Sequence, residues 1–396
     1  MRTTKSRLFT ILILGLLSAI GPLSIDMYLP GFQSIADDLE TTVPRIQLSL
    51  TSFFIGVASG QLIYGPLLDR YGRKRPLIAG LIIYIIVSIA CALTYSADHL
   101  IIFRFVQALG SCAGMVAARA MVRDYFTSSE TAKVFSLLML VIGVSPILAP
   151  TIGGFIIEHW DWHGIFILLA LITTLILLAV IFILPESRGP NKQLSLKPKP
   201  IVKGFWEVFR TRPFYVNAFA GGIASSGLYA YLAGSPYVLM ELHGVSEQQY
   251  GWIFAVIATA LVTTSQLNNF LLRKHASSNI AKIALLLQAL TGITLFSLTA
   301  VHAINLPLTI ILIFIFLGCQ GFTFPNTSAA ALNPFDKSAG SASALLGSIQ
   351  LGMGAISSAL VSLFHNDSGL PMTGVMALCA VVSASILWFL PVKQSS

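Results

Sequence analysis

Residues 65–76 read GPLLDRYGRKRP, a dense basic turn wedged between two uninterrupted apolar stretches. Two segments suited to lipid are thus joined by a tight loop carrying Arg70, Arg73, Lys74 and Arg75. Four cations in so short a loop strongly resist crossing a bilayer, so the turn is expected on the cytosolic side. Outward from it the same pattern repeats. A spanning helix needs about 20 mostly apolar residues, and twelve such runs are visible: 8–30, 44–67, 76–95, 98–121, 133–157, 162–184, 213–240, 247–271, 280–301, 305–331, 340–364 and 371–391. Of the 396 residues 55% are hydrophobic and 10% charged, with a mean hydropathy of +0.81. That composition leaves too little polar surface for a water-soluble chain. The expected class is an all-α, multi-pass membrane protein.

An even number of spans puts both termini on one side. Walking the loops alternately, every Lys and Arg except Arg45 and the intramembrane Arg104 falls on the side of the basic turn. Asp37, Asp38, Glu40, Asp98, Glu158, Asp161, Glu241, Glu247 and Asp367 fall on the other. The positive-inside rule makes the basic side cytosolic, and with it both termini. The net charge of +8 therefore reports topology. Nucleic acid is not expected as a partner, because no basic stripe with interleaved aromatics stands outside the loops. The start, MRTTKSRLFTILILGLLSAIGPLS, imitates a secretory signal, but its apolar run is long and further spans follow, which reads as an uncleaved first helix. Cys91, Cys112, Cys319 and Cys379 each stand alone within a span, without the spacing of a disulfide framework or a thiolate metal site.

One long polar interruption, PESRGPNKQLSLKPKPIVKGFWEVFRTRP at 185–213, divides the spans into six and six. The expected organisation is a first bundle over 1–185, a cytosolic linker over 186–212 and a second bundle over 213–396. Within the linker GFWEVFR has the make-up of a short amphipathic helix, with Trp206 and Phe209 at the headgroup level. Sliding the chain by about 204 residues sets LLDR (67–70) on LLRK (271–274), each at the end of the second helix of its half. Two repeated bundles rocking around a midplane site would produce that pattern.

The basic turn resembles the loop after the second helix in the major facilitator superfamily, a GxLaDrxGrkxx pattern met by Gly65, Leu67, Asp69, Arg70, Gly72, Arg73 and Lys74. Span four resembles that family's RxxQG element in Arg104, Gln107 and Gly110, with Ala108 where the glycine is usual and Asp124 closing the helix. Span five, GVSPILAPTIGG, is similar to the antiporter signature gxxxGPxxGG through Gly143, Pro150, Gly153 and Gly154, with Ala149 replacing one glycine. Within the superfamily, SIDMYLP (24–30), LAGSPYVLMELHGVS (232–246) and AGSASAL (339–345) resemble the bicyclomycin and chloramphenicol resistance subfamily of twelve-helix drug:proton antiporters. The resemblance implies two pseudo-symmetric six-helix bundles, efflux of drugs in exchange for protons across a bacterial inner membrane, and a cytosolic gate at the basic turn.

A charge inside a span costs a few kcal/mol and is a functional candidate by default. Asp26 lies about four residues inside the outer end of the first span and Arg104 about six inside that of the fourth, which at 1.5 Å per residue gives matched depths of roughly 6 and 9 Å. Asp26 is expected to accept the proton and Arg104 to modulate it, since burial and a neighbouring guanidinium act oppositely on a carboxyl's proton affinity. The competing reading is that both charges snorkel to the outer interface. At the basic turn, Gly65 and Gly72 suit close approach and unusual dihedrals, and Asp69 is aimed at the positive end of the eleventh helix near Ala339 and Gly340. Pro146 and Pro150, with Gly143, Gly153 and Gly154, bend the fifth span or let a neighbour pack tightly. Tyr28, Phe53, Gln61, Asn217, Tyr229, Tyr231, Gln320 and Asn326 supply the aromatic faces and sparse amides of a pocket for neutral or amphipathic drugs. The seven histidines fall in loops, and Trp160 and Trp162 read as interface anchors.

Enzyme classes find no support, for there is no HExxH, no pair of intramembrane acids and no GxxxxGK[ST] phosphate loop. Proton-coupled uptake or export of a small metabolite or peptide uses the same scaffold, and a passive channel is the alternative of a different class. No cofactor is expected beyond the coupling proton, and the chain is expected to work as a monomer among membrane lipids.

Overall fold

The computed structural model describes residues 4–191, 193, 196–335 and 339–390. Among them there are helices and no strand. In order they are α1 (Thr4–Asp26), α2 (Phe32–Asp38), α3 (Val43–Tyr71), α4 (Lys74–Ala92), α5 (Ala97–Tyr125), α6 (Ser128–His159), α7 (His163–Phe182), α8 (Pro198–Phe209), α9 (Arg212–Pro236), α10 (Glu247–Leu271), α11 (Ser277–Ala300), α12 (Leu306–Leu332), α13 (Ala339–Leu363) and α14 (Leu370–Phe389).

Eleven helical segments are long and apolar enough to cross a membrane. The twelfth expected span, α9, is 25 residues long but reads NAFAGGIASSG through its middle. It is buried almost throughout and packs on α12, α13 and α14. A helix wrapped by other helices is selected for close approach by small residues rather than for hydropathy. Its sequence therefore looks less membranous than its place in the bundle.

The first helix ends before its apolar run does. Pro22 lies inside α1, which stops at Asp26, and Pro30 opens a 3-10 turn over Leu29–Gly31 before α2. Asp26 is accordingly the last residue of its helix rather than four residues inside it. Of α1–α7, α5 packs on α3, α4 and α1, while α6 packs on α1 and α7 on α4. Of α9–α14, α9 packs on α12, α13 and α14, while α11 lies on α12 and α14. The two sets meet along two seams, α3 with α13 and α6 with α10.

Below, the basic end means the side of the 71–74 turn and the acid-rich end the opposite one. Toward the acid-rich end the sets are hydrogen-bonded to each other. Ser34 Oγ donates to Glu247 Oε1 at 3.0 Å, the Thr51 and Ser358 hydroxyls meet at 2.7 Å, and Ser362 Oγ donates to the Pro44 carbonyl at 2.5 Å.

Two smaller expectations change. Trp160 is exposed, as an anchor would be, but Trp162 is fully buried and its Nε1 donates to Asp38 Oδ2 at 3.1 Å. Its indole N–H found a carboxylate on α2, which sequence spacing does not reveal. The linker does carry a helix, α8, beginning six residues before GFWEVFR. It buries Val208 and leaves Trp206 exposed. All four cysteines are free and buried.

Candidate functional site

Arg104 is wholly buried in α5. Its Nη2 donates to the Ser24 carbonyl at 2.9 Å and its Nη1 to Gln107 Oε1 at 2.7 Å. Gln107 in turn donates to Ser88 Oγ at 2.7 Å. The guanidinium carbon stands 4.6 Å from the Tyr28 ring centroid and 4.3 Å from that of Phe53. A desolvated cation over aromatic faces gains about 2 kcal/mol from each good contact. This is an anchored charge binding α1, α3, α4 and α5 together, and it is not snorkelling.

Asp26 is also buried, 4% exposed, yet has neither a hydrogen bond nor an ion pair with a described residue. The expected partnership with Arg104 is thus absent. The reason is helical phase. Ser24, which receives Arg104, and Asp26 are two residues apart, so they project about 200° from each other. The face toward α5 takes the arginine, and Asp26 turns toward the other half of the molecule. There it lies within electrostatic range of Tyr229, Tyr231 and Tyr250 of α9 and α10.

The antiporter-like stretch supports that position. A Cβ on Gly153 of α6 would collide with the carbonyl of Met27, the residue after Asp26. Only a glycine lets α6 press against the end of α1 at this point. One residue on, Gly154 lies against the Glu247 backbone, and Gly251 of α10 nests on the backbone of Pro150 and Thr151. Gly143 faces Val262 of α10. Pro146 and Pro150 sit inside an unbroken α6. The motif therefore forms the α6–α10 seam and holds the floor beneath Asp26.

The expected pocket residues divide. Tyr229 stands at the α3–α13 seam, its ring edge-on to Phe54 with centroids 4.7 Å apart and its face against Gly354. Tyr231 stacks on Phe254 at 5.6 Å, and Gln61 of α3 is pressed against Gly347 of α13. Tyr229 and Gln61 lie where the halves meet, while Tyr231 stacks within the second half and stays in electrostatic range of Asp26. The others are used inside one half. Tyr28 supports Arg104 and hydrogen-bonds Ser49, and Asn217 donates to the Pro213 carbonyl. Gln320 donates to Ser225 Oγ, and Asn326 to Asn268 Oδ1 at 2.7 Å. Aromatic faces and amides in apolar helices were the signal used for them, and that signal does not separate a cavity from ring packing or an interhelical hydrogen bond.

At the basic end, Gly72 has φ +86°, the left-handed turn that glycine favours. It lets Arg73 fold back between two acids, with Nη1 donating to Asp69 Oδ1 at 2.7 Å and Nε to Asp124 Oδ2 at 2.8 Å. Arg70 occupies the last turn of α3 beside them. Burial opposes the charge on Arg73, but the hydrogen bonds and charges of Asp124 and Asp69 outweigh it and hold the guanidinium above its ordinary range. Asp69 was expected to face the start of the eleventh span, and the partner found for it is Arg73. The residue sequence reading missed is Glu186, whose Oε1 accepts from the Arg73 amide at 2.8 Å and whose Oε2 accepts from the Lys74 amide at 3.2 Å. A carboxylate at the start of α4 also meets the positive end of the helix dipole.

Arg73→Ala removes the guanidinium that donates to both the Asp69 and the Asp124 carboxylates. Removing one member of a largely buried pair costs about 3 kcal/mol. The expected result is a lower melting temperature in detergent and slower transport, with cargo affinity near wild type. Gly65 gives the opposite expectation, because a Cβ there meets nothing within 4 Å. Gly65→Ala should leave thermal stability unchanged, and a fall in transport would then mean that another conformation brings a neighbour against it.

Arg104 is not the one arginine deep in α5. Arg119 of α5, which the loop count assigned to the cytosolic side, belongs to the Ala97–Tyr125 span and is exposed.

Two bundles of membrane helices meeting at glycine-lined seams around a sequestered carboxyl define a membrane transporter, and the comparisons agree. Residues 14–359 match the Major Facilitator Superfamily, and the chain belongs to that family. It is 34% identical to the uncharacterized MFS-type transporter YdgK of Bacillus subtilis over 96% of this chain and 95% of that one. It is 33% identical to the bicyclomycin resistance protein homolog of Haemophilus influenzae, covering 98% of each. Its fold is similar to that of the xylose transporter XylE of Escherichia coli, with a TM-score of 0.77 over 99% of each chain at 13% identity.

Proposed function

We propose that this transporter expels neutral or amphipathic antibiotics, of the bicyclomycin or chloramphenicol kind, across a bacterial inner membrane in exchange for protons taken up at Asp26. The basic end, with both termini, faces the cytosol. The observation that carries the reading is a buried Asp26 bonded to no cation and turned across the molecule toward Tyr229, Tyr231 and Tyr250. A carboxyl held between two rocking bodies changes surroundings when they move, so its proton affinity changes with the side to which the cavity opens. Cargo arriving from the cytosol and a proton arriving from outside then favour opposite arrangements, which is what exchange requires. The motifs at the α6–α10 seam and the likeness to a bicyclomycin resistance protein homolog support the direction and the class of cargo. Arg73 with Asp69, Asp124 and Glu186 acts as the cytosolic latch, opening and closing around one monomer without a cofactor.

Inverted membrane vesicles test it. An imposed pH gradient, acid inside, should drive chloramphenicol accumulation that an uncoupler abolishes. Accumulation that ignores the uncoupler would overturn proton exchange.

A further inference from the structure

Arg119 is unlike the other charges in the spans. It lies six residues before the end of α5, about 9 Å inside the bundle from the basic end, and fifteen residues, about 22 Å, from Arg104. It makes no hydrogen bond and no ion pair with a described residue. The charged neighbour within electrostatic range is Arg123, another cation. Yet its side chain is exposed.

Helical phase says to what it is exposed. On the same helix Met115 lies against Gly21 of α1, and Cys112 lies against Gly60 of α3. Arg119 follows Met115 by four residues and Cys112 by seven, so at 100° per residue it projects between the lines of contact with α1 and α3. The outward side of α5 is covered by α4, through the contact of Gly110 with the Tyr84 backbone. Arg119 thus points away from lipid, into the space between the two halves. A bare guanidinium in hydrocarbon would cost a few kcal/mol or more, whereas water in a cavity open to the basic end solvates it.

We propose that Arg119 is the cargo-selecting residue of this cavity, receiving an anionic or strongly hydrogen-bond-accepting group of the transported molecule. This deepens the efflux reading and rests on it for the word cargo. Among the described residues the charged group acting on Arg119 is the cation Arg123 and no acid does, so the local field is positive; it draws carboxylate, nitro or similar oxygen-rich groups inward and repels cations. The planar fork of five N–H donors suits two-oxygen groups. The charge is free for cargo because no acid among the described residues neutralises it.

The test measures binding to the purified full-length protein in detergent, without a proton gradient, using fluorescein as anion, ethidium as cation and chloramphenicol as neutral competitor. Wild type should bind fluorescein more tightly than ethidium. Arg119→Gln should weaken fluorescein and chloramphenicol about tenfold, the size of one charged hydrogen bond, and leave ethidium binding equal or tighter. Arg119→Glu should reverse the order of the two dyes, and Arg119→Lys should keep it. A single symmetric peak in gel filtration identifies the variants that are folded. Wild type that binds neither dye, an Arg119→Gln protein with fluorescein affinity within twofold of wild type, or an equal loss for all three probes would overturn the proposal. Repeating the titration in Asp26→Asn separates it from the efflux reading: dye preference is expected to survive there even if proton-driven accumulation does not.

Discussion

Asp26→Asn is expected to abolish accumulation driven by a pH gradient in inverted vesicles, while cargo binding and downhill exchange of cargo persist. The substitution is nearly isosteric and removes only the ability to take up and release a proton. Asp26 bonds no described residue, so its loss leaves no buried cation unpaired. The folded protein should melt at or above the wild-type temperature, since an amide at a buried position carries no charge to desolvate. Drug-induced proton release in detergent gives the direct reading. Release equal to wild type in the Asn variant would remove Asp26 from the exchange.

Arg104→Ala is expected to fail differently, by loosening the first half of the molecule. Its guanidinium is fully buried, holds the Ser24 carbonyl and Gln107, and lies on Tyr28 and Phe53. Truncation leaves a void, an unpaired carbonyl and an unpaired amide, a loss of roughly 3 to 5 kcal/mol. Arg104→Lys keeps the cation but not the fork, because one ammonium cannot meet both acceptors in the same plane. Thermal unfolding in detergent should rank wild type above Lys and Lys above Ala. Equal stability of all three would mean that Arg104 is not a structural anchor, and the idea of direct modulation of Asp26 would return.

The chain's architecture was legible because lipid imposes one rule on every span. Apolar runs bounded by sorted charges located α3 through α7 and α10 through α14 to within a few residues. α9 was counted among the apolar runs, at 213–240, although its small polar residues give no strong hydropathic signal. At the site, depth was readable and direction was not. Asp26 and Arg104 do lie near one level, but the two-residue spacing of Ser24 and Asp26 puts their targets on opposite sides of α1, and only packing shows which side faces α5. Glu186 escaped notice for a related reason. It reaches Arg73 from a segment 113 residues away in sequence, and a lone glutamate at the head of a charged linker carries no mark of its destination. Arg119 was hidden by the positive-inside rule itself, which explains any arginine near that membrane face.

Glu186 has a consequence for how the molecule moves. It is the first acidic residue of the strap between the bundles, and the strap's opening residues are moored to the first bundle: Glu186 on the Arg73 and Lys74 amides where α3 turns into α4, Ser187 on Asp124 at the end of α5. The strap is therefore fastened to the first bundle at the proposed latch itself, so that a pull along it would be delivered to the Arg73 cluster.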